Sequence, residues 1–222
     1  LGRGRRRWLG PALALVPVLW VGPPALPEGH ARVWVLDVGQ GSAAVVETAG
    51  HVAVVDCGPR FSPRFDAGSA LVAPFLQSRG WGAVDRLVIS HGDNDHSGGC
   101  DGLRRRLPVA AVAGAGGEPL RAGDGWRWDG VRFEVLAPSP GDPAAGNDSS
   151  RVLRVTAGGD RVLLPGDLEA AGERRFLARV GDPRADVLVA PHHGRDPSST
   201  APFVAAVPPP RVVFSTGYTN RP

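Results

Sequence analysis

Ser90-His91-Gly92-Asp93-Asn94-Asp95-His96-Ser97-Gly98-Gly99 follows directly on the apolar run Val84-Asp85-Arg86-Leu87-Val88-Ile89. Two imidazoles and two carboxylates fall within six residues, at the end of a strand-like run and ahead of a Gly-Gly turn, so four metal-capable side chains come from one place. In extended backbone His91 and Asp93 point the same way, whereas Asp95 and His96 sit where the chain turns and address an adjacent position. One loop can therefore serve two cations. Capping of a following helix suits Asp95, but it uses one such residue and leaves three unexplained.

Outward from this loop the chain alternates strands, turns and helices. Residues 33–38, 43–48 and 51–56 read as a β-meander turned at Gly39-Gln-Gly-Ser42 and Ala49-Gly50. Residues 66–80 carry helical spacing of Ala70, Leu71, Pro74, Phe75 and Leu76, and a second helix runs from the Gly-Gly turn to Leu107, with Arg104, Arg105 and Arg106 near its C-terminal end. Short strands are expected at 109–113, 126–128 and 131–136, followed by a polar linker over 139–150. The second half repeats the logic: strands at 152–156 and 162–164, a helix over 168–180, a strand at 187–190, a helix over 199–206 and a strand at 212–215. Two β-rich halves with interspersed helices fit two face-packed sheets flanked by helices, an α+β class.

Other polar residues also close strand-like runs. Asp56 ends residues 51–55, Asp167 follows Leu163-Leu-Pro-Gly, and His192-His193 follow Val187-Leu-Val-Ala-Pro. Each has a structural alternative: Asp167 as a helix cap, the histidine pair as surface residues. Asp37 is readable as a buried turn-stabilising acid or as a catalytic one, and His30 and His51 as surface or packing residues.

His91-Gly-Asp93-Asn-Asp95-His96 resembles the metallo-β-lactamase superfamily motif His-x-His-x-Asp-His, with Asp93 in place of the second histidine. With Asp37-Val-Gly-Gln-Gly-Ser42 upstream and Ala190-Pro-His-His-Gly194 downstream, the chain is similar to one branch, the C-terminal domain of the ComEC family of DNA-uptake channels in naturally competent bacteria, from about residue 32 onward. The resemblance implies an αββα four-layer sandwich over 32–222 with its site at one edge, where strand-end loops meet. It also implies that Asp167 bridges two metals, that His192 is the final ligand with His193 behind the ligands, facing substrate or as a further possible metal residue, and that Asp56 orients the metal loop. One cation would then take His91, Asp93 and Asp167, with Asn147 or Asp148 as further metal or substrate candidates. The other would take Asp95, His96, Asp167 and His192. Asp95, Asp167 and Asp56 form the expected catalytic acids.

Two departures from the superfamily pattern matter. Asp93 replaces a histidine, and Asn147-Asp148-Ser149-Ser150 stands where many members have a third-motif histidine, with no histidine between His96 and His192. More oxygen donors and fewer imidazoles favour harder ions, so two divalent cations are expected, Mn²⁺ over Zn²⁺, and no organic cofactor. Cations about 3.5 to 4 Å apart suit phosphodiester hydrolysis. Arg60, Arg64 and Arg195, close in sequence to the expected ligands, are candidates to grip backbone phosphates, though each is equally readable as a solvated arginine.

The resemblance thus implies a nuclease domain that degrades the non-transported DNA strand, with single-stranded DNA and the membrane channel of the same protein as partners. Two other functions stay open. One is a binuclear phosphodiesterase or esterase acting on a small substrate; the other is a catalytically weak domain that binds DNA or the channel, which the missing third-motif histidine keeps in play.

Composition sets the remaining bounds. All 25 basic residues are arginine, and Arg3, Arg5, Arg6 and Arg7 precede every acid, which leaves 21 positive against 22 negative charges in the remainder. The pI near 9.6 therefore reflects the N-terminus, and DNA binding has to rest on local arginine clusters. Residues 8–26 form an uncharged apolar run of about the length of one bilayer crossing, interrupted by Pro11, Pro17, Pro23 and Pro24. Signal peptide, transmembrane helix and apolar arm compete there. The absent Met and the resemblance favour residues 1–31 as the end of a membrane helix plus linker, in a fragment of a longer protein of the bacterial membrane, and the preceding arginines place the globular part on the extracytoplasmic side. Cys57 and Cys100 allow either a disulfide or two buried thiols.

Overall fold

The computed structural model describes residues 22–217 apart from Pro24. The expected membrane segment over 8–26 lies almost wholly outside these residues, and among the described residues no helix is long and apolar enough to cross a membrane.

Five strands form the first sheet, in the order β1 (Arg32–Val35), β2 (Ala44–Glu47), β3 (Val52–Val55), β6 (Val84–Ile89) and β7 (Val109–Gly114). A two-stranded hairpin, β4 (Arg60–Ser62) and β5 (Phe65–Asp66), interrupts the run between β3 and β6. The second sheet has six strands: β8 (Gly125–Trp128), β9 (Val131–Ala137), β10 (Val152–Ala157), β11 (Asp160–Leu164), β12 (Val187–Val189) and β13 (Arg211–Val213), lying in the spatial order 13-12-11-10-9-8.

Strand periodicity explains how the sheets stack. Ala44, Val46, Ala53 and Val55 face the second sheet and pack with Phe133, Val135, Leu153 and Val155. The alternate residues Val45, Val52 and Val54 face outward onto α1 (Ala73–Ser78) and α3 (Cys100–Arg106) through Leu76 and Leu103. Burial on both faces is why β2 and β3 read as unbroken apolar runs. On the far side, Val152, Leu163 and Leu188 pack under α4 (Ala170–Arg179) and α5 (Ala201–Ala206) through Phe176 and Phe203. Helix, sheet, sheet, helix is the expected four-layer sandwich.

Local departures have physical causes. The helix expected over 66–80 opens as a π turn at Gly68–Val72 before α1, where Pro74 lacks the N–H that would continue the ladder. The metal loop itself holds a short helix, α2 (Asn94–Ser97), parted from the expected helix α3 by Gly98-Gly99. The stretch expected as a polar linker is fastened down: Asp142 pairs with Arg175 and Arg179, and Asn147–Ser149 forms a 3₁₀ turn. Both cysteines are buried free thiols.

Topology fixes where the loops meet. β3 runs parallel to β6, and β11 parallel to β12 and then β13, so the segments leaving their C-terminal ends emerge together at one edge. Close packing of the loops there requires Gly166. Its φ is +60°, and a Cβ would stand 2.8 Å from Ser150 Oγ in its own sheet and 3.1 Å from Ser90 Cβ after β6 of the other.

Candidate metal centre

Asp56 leaves β3 with a φ of 60°, in the left-handed region that non-glycine residues seldom adopt. That turn points its carboxylate at the loop after β6, where it accepts hydrogen bonds from the Ser90 amide and hydroxyl, both at 2.7 Å, and lies 2.7 Å from His96 Nδ1. His96 Nδ1 therefore carries the proton toward Asp56, and Nε2 faces the other way, 2.9 Å from Asp167 Oδ1.

The same arrangement recurs at two further histidines. His91 Nδ1 lies 3.1 Å from Ser90 Oγ and 3.4 Å from Ser150 Oγ, and His193 Nδ1 lies 3.0 Å from Ser215 Oγ, just past β13. The Nε2 atoms of His91, His96 and His193 are all buried without a hydrogen-bond partner. The 2.9 Å approach of His96 Nε2 to Asp167 thus lacks the alignment of a hydrogen bond. Buried polar nitrogens are rarely left so. Three imidazoles with one nitrogen fixed and the other aimed into a shared space fit a divalent cation.

Carboxylates complete the set. Donor atoms of Asp95, His96, Asp167 and His193 lie within 4.8 Å of one another. His193 Nε2 is 3.4 Å from Asp95 Oδ2 and 3.5 Å from Asp167 Oδ2, while His91 Nε2 is 3.5 Å from Asp93 Oδ2. The His91 and His96 rings stand 4.2 Å apart, so the His91–Asp93 pair adjoins the four-residue cluster. Asp93 and Asp95 are partly exposed and Asp167 is buried, which leaves the site open on the loop side and closed beneath.

Protonation follows from these neighbours. Burial, reinforced by His96, lowers the His91 pKa and keeps a neutral ring suited to ligation. Burial opposes charge on His96 too, but the Asp56 and Asp167 carboxylates lift its pKa well above the ordinary value. Burial would raise Asp167, yet the imidazoles of His96, His193 and His91 bring it below the ordinary carboxylate range. The His193 imidazole, its Nε2 3.4 Å away, holds Asp95 at about 2.

Of the two adjacent histidines, the structure brings His193 rather than His192 to the donor cluster. Both are left-handed, at φ 51° and 57°, and that backbone turns His193 inward. His192 Nδ1 points instead toward Glu169 Oε1 at 3.8 Å. Asp148, expected as a metal or substrate candidate, is committed elsewhere: it accepts from the Glu169 amide and pairs with Arg175 at 2.7 Å. Asn147 donates to Glu169 Oε1 at 2.8 Å, so Asn147, Glu169 and His192 form a rim outside the donor cluster. Asp37 accepts from the Gly39 amide two residues on, at 3.1 Å. Arg60, Arg64 and Arg195 are exposed, Arg60 lying 3.4 Å from Asp101. Sequence reasoning gave no role to Ser90, Ser150, Ser215 or Glu169. The serines share one signal: each flanks a strand at the same edge as the ligands, Ser90 and Ser215 after β6 and β13 and Ser150 before β10.

Comparison with known proteins agrees with this geometry. Residues 36–217 match the family model described as the metallo-beta-lactamase superfamily. Competence protein ComA of Neisseria gonorrhoeae is 37% identical over 224 residues, covering 99% of this chain and 31% of that protein. ComE operon protein 3 of Bacillus subtilis is 29% identical over 238 residues, covering 92% of this chain and 30% of that protein. The chain therefore spans less than a third of the length of these relatives. Among solved structures, a Cronobacter sakazakii metallo-β-lactamase with a HARLDQ motif superposes with a TM-score of 0.54 at 17% identity, over 76% of this chain and 78% of that one, a likeness of fold. The family match runs through every loop that brings a donor to the cluster, and the chain belongs to the metallo-β-lactamase superfamily.

Proposed function

We propose that this domain is a metal-dependent nuclease that takes two divalent cations, Mn²⁺ in preference to Zn²⁺, and hydrolyses phosphodiester bonds of DNA. The observation that carries the reading is the convergence of Asp95, His96, Asp167 and His193 within 4.8 Å, beside the His91–Asp93 pair, with three buried Nε2 atoms left for a cation. Bound divalent cations supply Lewis acidity that lowers the pKa of water and offsets charge on a phosphoryl group. The chain's own residues do the positioning. Asp56, Ser90, Ser150 and Ser215 fix the ring nitrogens, Asp167 stands 2.9 Å from His96 Nε2 and 3.5 Å from His193 Nε2 as the acid to be shared by the two cations, and the half-open side at Asp93 and Asp95 admits substrate. Arg60, Arg64 and Arg195 are the candidate contacts to backbone phosphates. Carboxylates match imidazoles in number across His91, Asp93, Asp95, His96, Asp167 and His193, which supports the harder ion.

Similarity to ComA and ComE operon protein 3 supports a setting in DNA uptake: a domain on the extracytoplasmic side of a bacterial membrane, attached to a channel portion of the same protein, acting on the strand that is not transported. The test uses protein stripped by chelator, then supplied with Mn²⁺ or Zn²⁺ and offered end-labelled single-stranded DNA or bis(p-nitrophenyl) phosphate. Mn²⁺ should restore cutting, and Asp167→Ala should abolish it. Restoration by Zn²⁺ alone would overturn the metal assignment, and hydrolysis of the small ester with DNA left intact would move the reading to a small-substrate phosphodiesterase.

A further inference from the structure

Arg60-Phe61-Ser62-Pro63-Arg64-Phe65 alternates cations and rings along the β4–β5 hairpin, and all six residues are exposed. Phe61 and Phe65 are 51% and 52% exposed, yet their rings stack on each other, 5.3 Å apart at 28°. Stacked phenylalanines left in water mark a contact surface. A third exposed ring, Phe214, packs over Gly194 directly after the histidine pair.

This hairpin is tied to the metal loop. Asn94, between Asp93 and Asp95, accepts from the Arg60 amide and donates to the Arg60 carbonyl, both at 3.2 Å. The rings thus keep a set offset from the donor cluster. Beside them opens a cavity of about 450 Å³ lined by Arg60, Arg64, Asp66, Ser69, Arg105 and Arg106. Arg60 and Arg105 are engaged by Asp101 and Asp66, whereas Arg64 and Arg106 have no ion-pair partner among the described residues. Exposed flat rings beside unpaired guanidiniums complement a strand whose bases are unstacked and whose phosphates are evenly spaced. A duplex hides its base faces and offers the rings nothing.

We infer that the β4–β5 hairpin and its arginine groove are a strand-binding platform, on which bases stack against Phe61 and Phe65 while Arg64 and Arg106 hold phosphates, so that the domain selects single-stranded over duplex DNA. The inference rests on the nuclease reading and deepens it. Anisotropy of labelled oligo(dT), and of a duplex of equal length, is measured on metal-stripped protein in chelator so that cleavage cannot interfere; thermal unfolding of each variant checks its fold. The parent should favour oligo(dT). Phe61→Ser/Phe65→Ser should weaken oligo(dT) binding by about tenfold to a hundredfold and leave duplex binding nearly unchanged. Arg64→Ala/Arg106→Ala should flatten the dependence of log affinity on log salt by about one unit. A Phe61→Ser/Phe65→Ser protein that folds and binds oligo(dT) like the parent overturns the platform, as does one that loses affinity only for phosphatidylglycerol vesicles. Should the parent hydrolyse bis(p-nitrophenyl) phosphate with Mn²⁺ yet bind no DNA, it is the nucleic-acid reading itself that fails.

Discussion

Asp56 is buried, yet it decides which nitrogen of His96 faces the cluster. Removing a group that orients a ligand typically weakens metal affinity by about 10- to 100-fold. Asp56→Ala should do so for Mn²⁺ measured by titration calorimetry, while leaving all six proposed ligands in place. A sharper comparison separates the adjacent histidines. His193→Ala removes a donor from the cluster and should lose at least as much affinity as Asp56→Ala, whereas His192→Ala should bind Mn²⁺ within a few-fold of the parent; equal losses would refute the inward assignment of His193. Sequence could name the pair but not choose between its members. In a regular strand neighbours point to opposite faces, but here the choice rests on two successive left-handed residues, which no side-chain pattern encodes. The metal loop was legible because its ligands are consecutive and local.

At the scale of elements, β2 is held by Glu47, a fully buried carboxylate that accepts from Trp34 Nε1 and Trp81 Nε1 at 2.9 Å and from Arg79 at 3.0 and 3.1 Å. Burial works against its charge, and the Arg79, Trp34 and Trp81 hydrogen bonds outweigh it, so its pKa is lowered. Glu47→Ala would leave two indole donors without their acceptor while Arg79 turns to solvent, costing about 1 to 3 kcal/mol in urea unfolding. A loss below about 1 kcal/mol would show that these donors reach water instead. At the edge opposite the cluster, Asp129 in the β8–β9 turn clasps the β2–β3 turn, accepting from Thr48 Oγ1 at 2.6 Å and the Gly50 amide at 2.7 Å, with His51 Nδ1 at 3.0 Å. Thr48 and His51 lower its pKa from 3.8 to about 2. A depressed carboxylate contributes stability that is present above 3.8 and lost as pH falls toward 2. Asp129→Asn should therefore flatten the stability profile between about pH 4 and pH 2. Strand positions were readable because alternate residues meet different cores. The β4–β5 hairpin escaped notice, since two- and three-residue strands with exposed rings carry no burial pattern.

For the molecule as a whole, folding and metal binding are one equilibrium. The cluster exists only when both sheets are in place, so a cation at a hundred times its dissociation constant adds about 2.7 kcal/mol to stability. In a chain of this size that corresponds to a rise in melting temperature of roughly 5 to 10 °C. Calorimetric scans with chelator and with Mn²⁺ should show the difference in the parent and its loss in Asp167→Ala. The sandwich was legible from two β-rich halves in succession. Which loops meet was not, because convergence depends on the parallel pairing of β3 with β6 and of β11 with β12, long-range choices that leave no local mark.

That pairing has a further consequence. Asp56, His91, Asp93, Asp95 and His96 belong to the N-terminal half, and Asp167 and His193 to the other. A chain still under synthesis carries no complete ligand set until translation has passed residue 193, so a full set of donors waits for both halves of the domain.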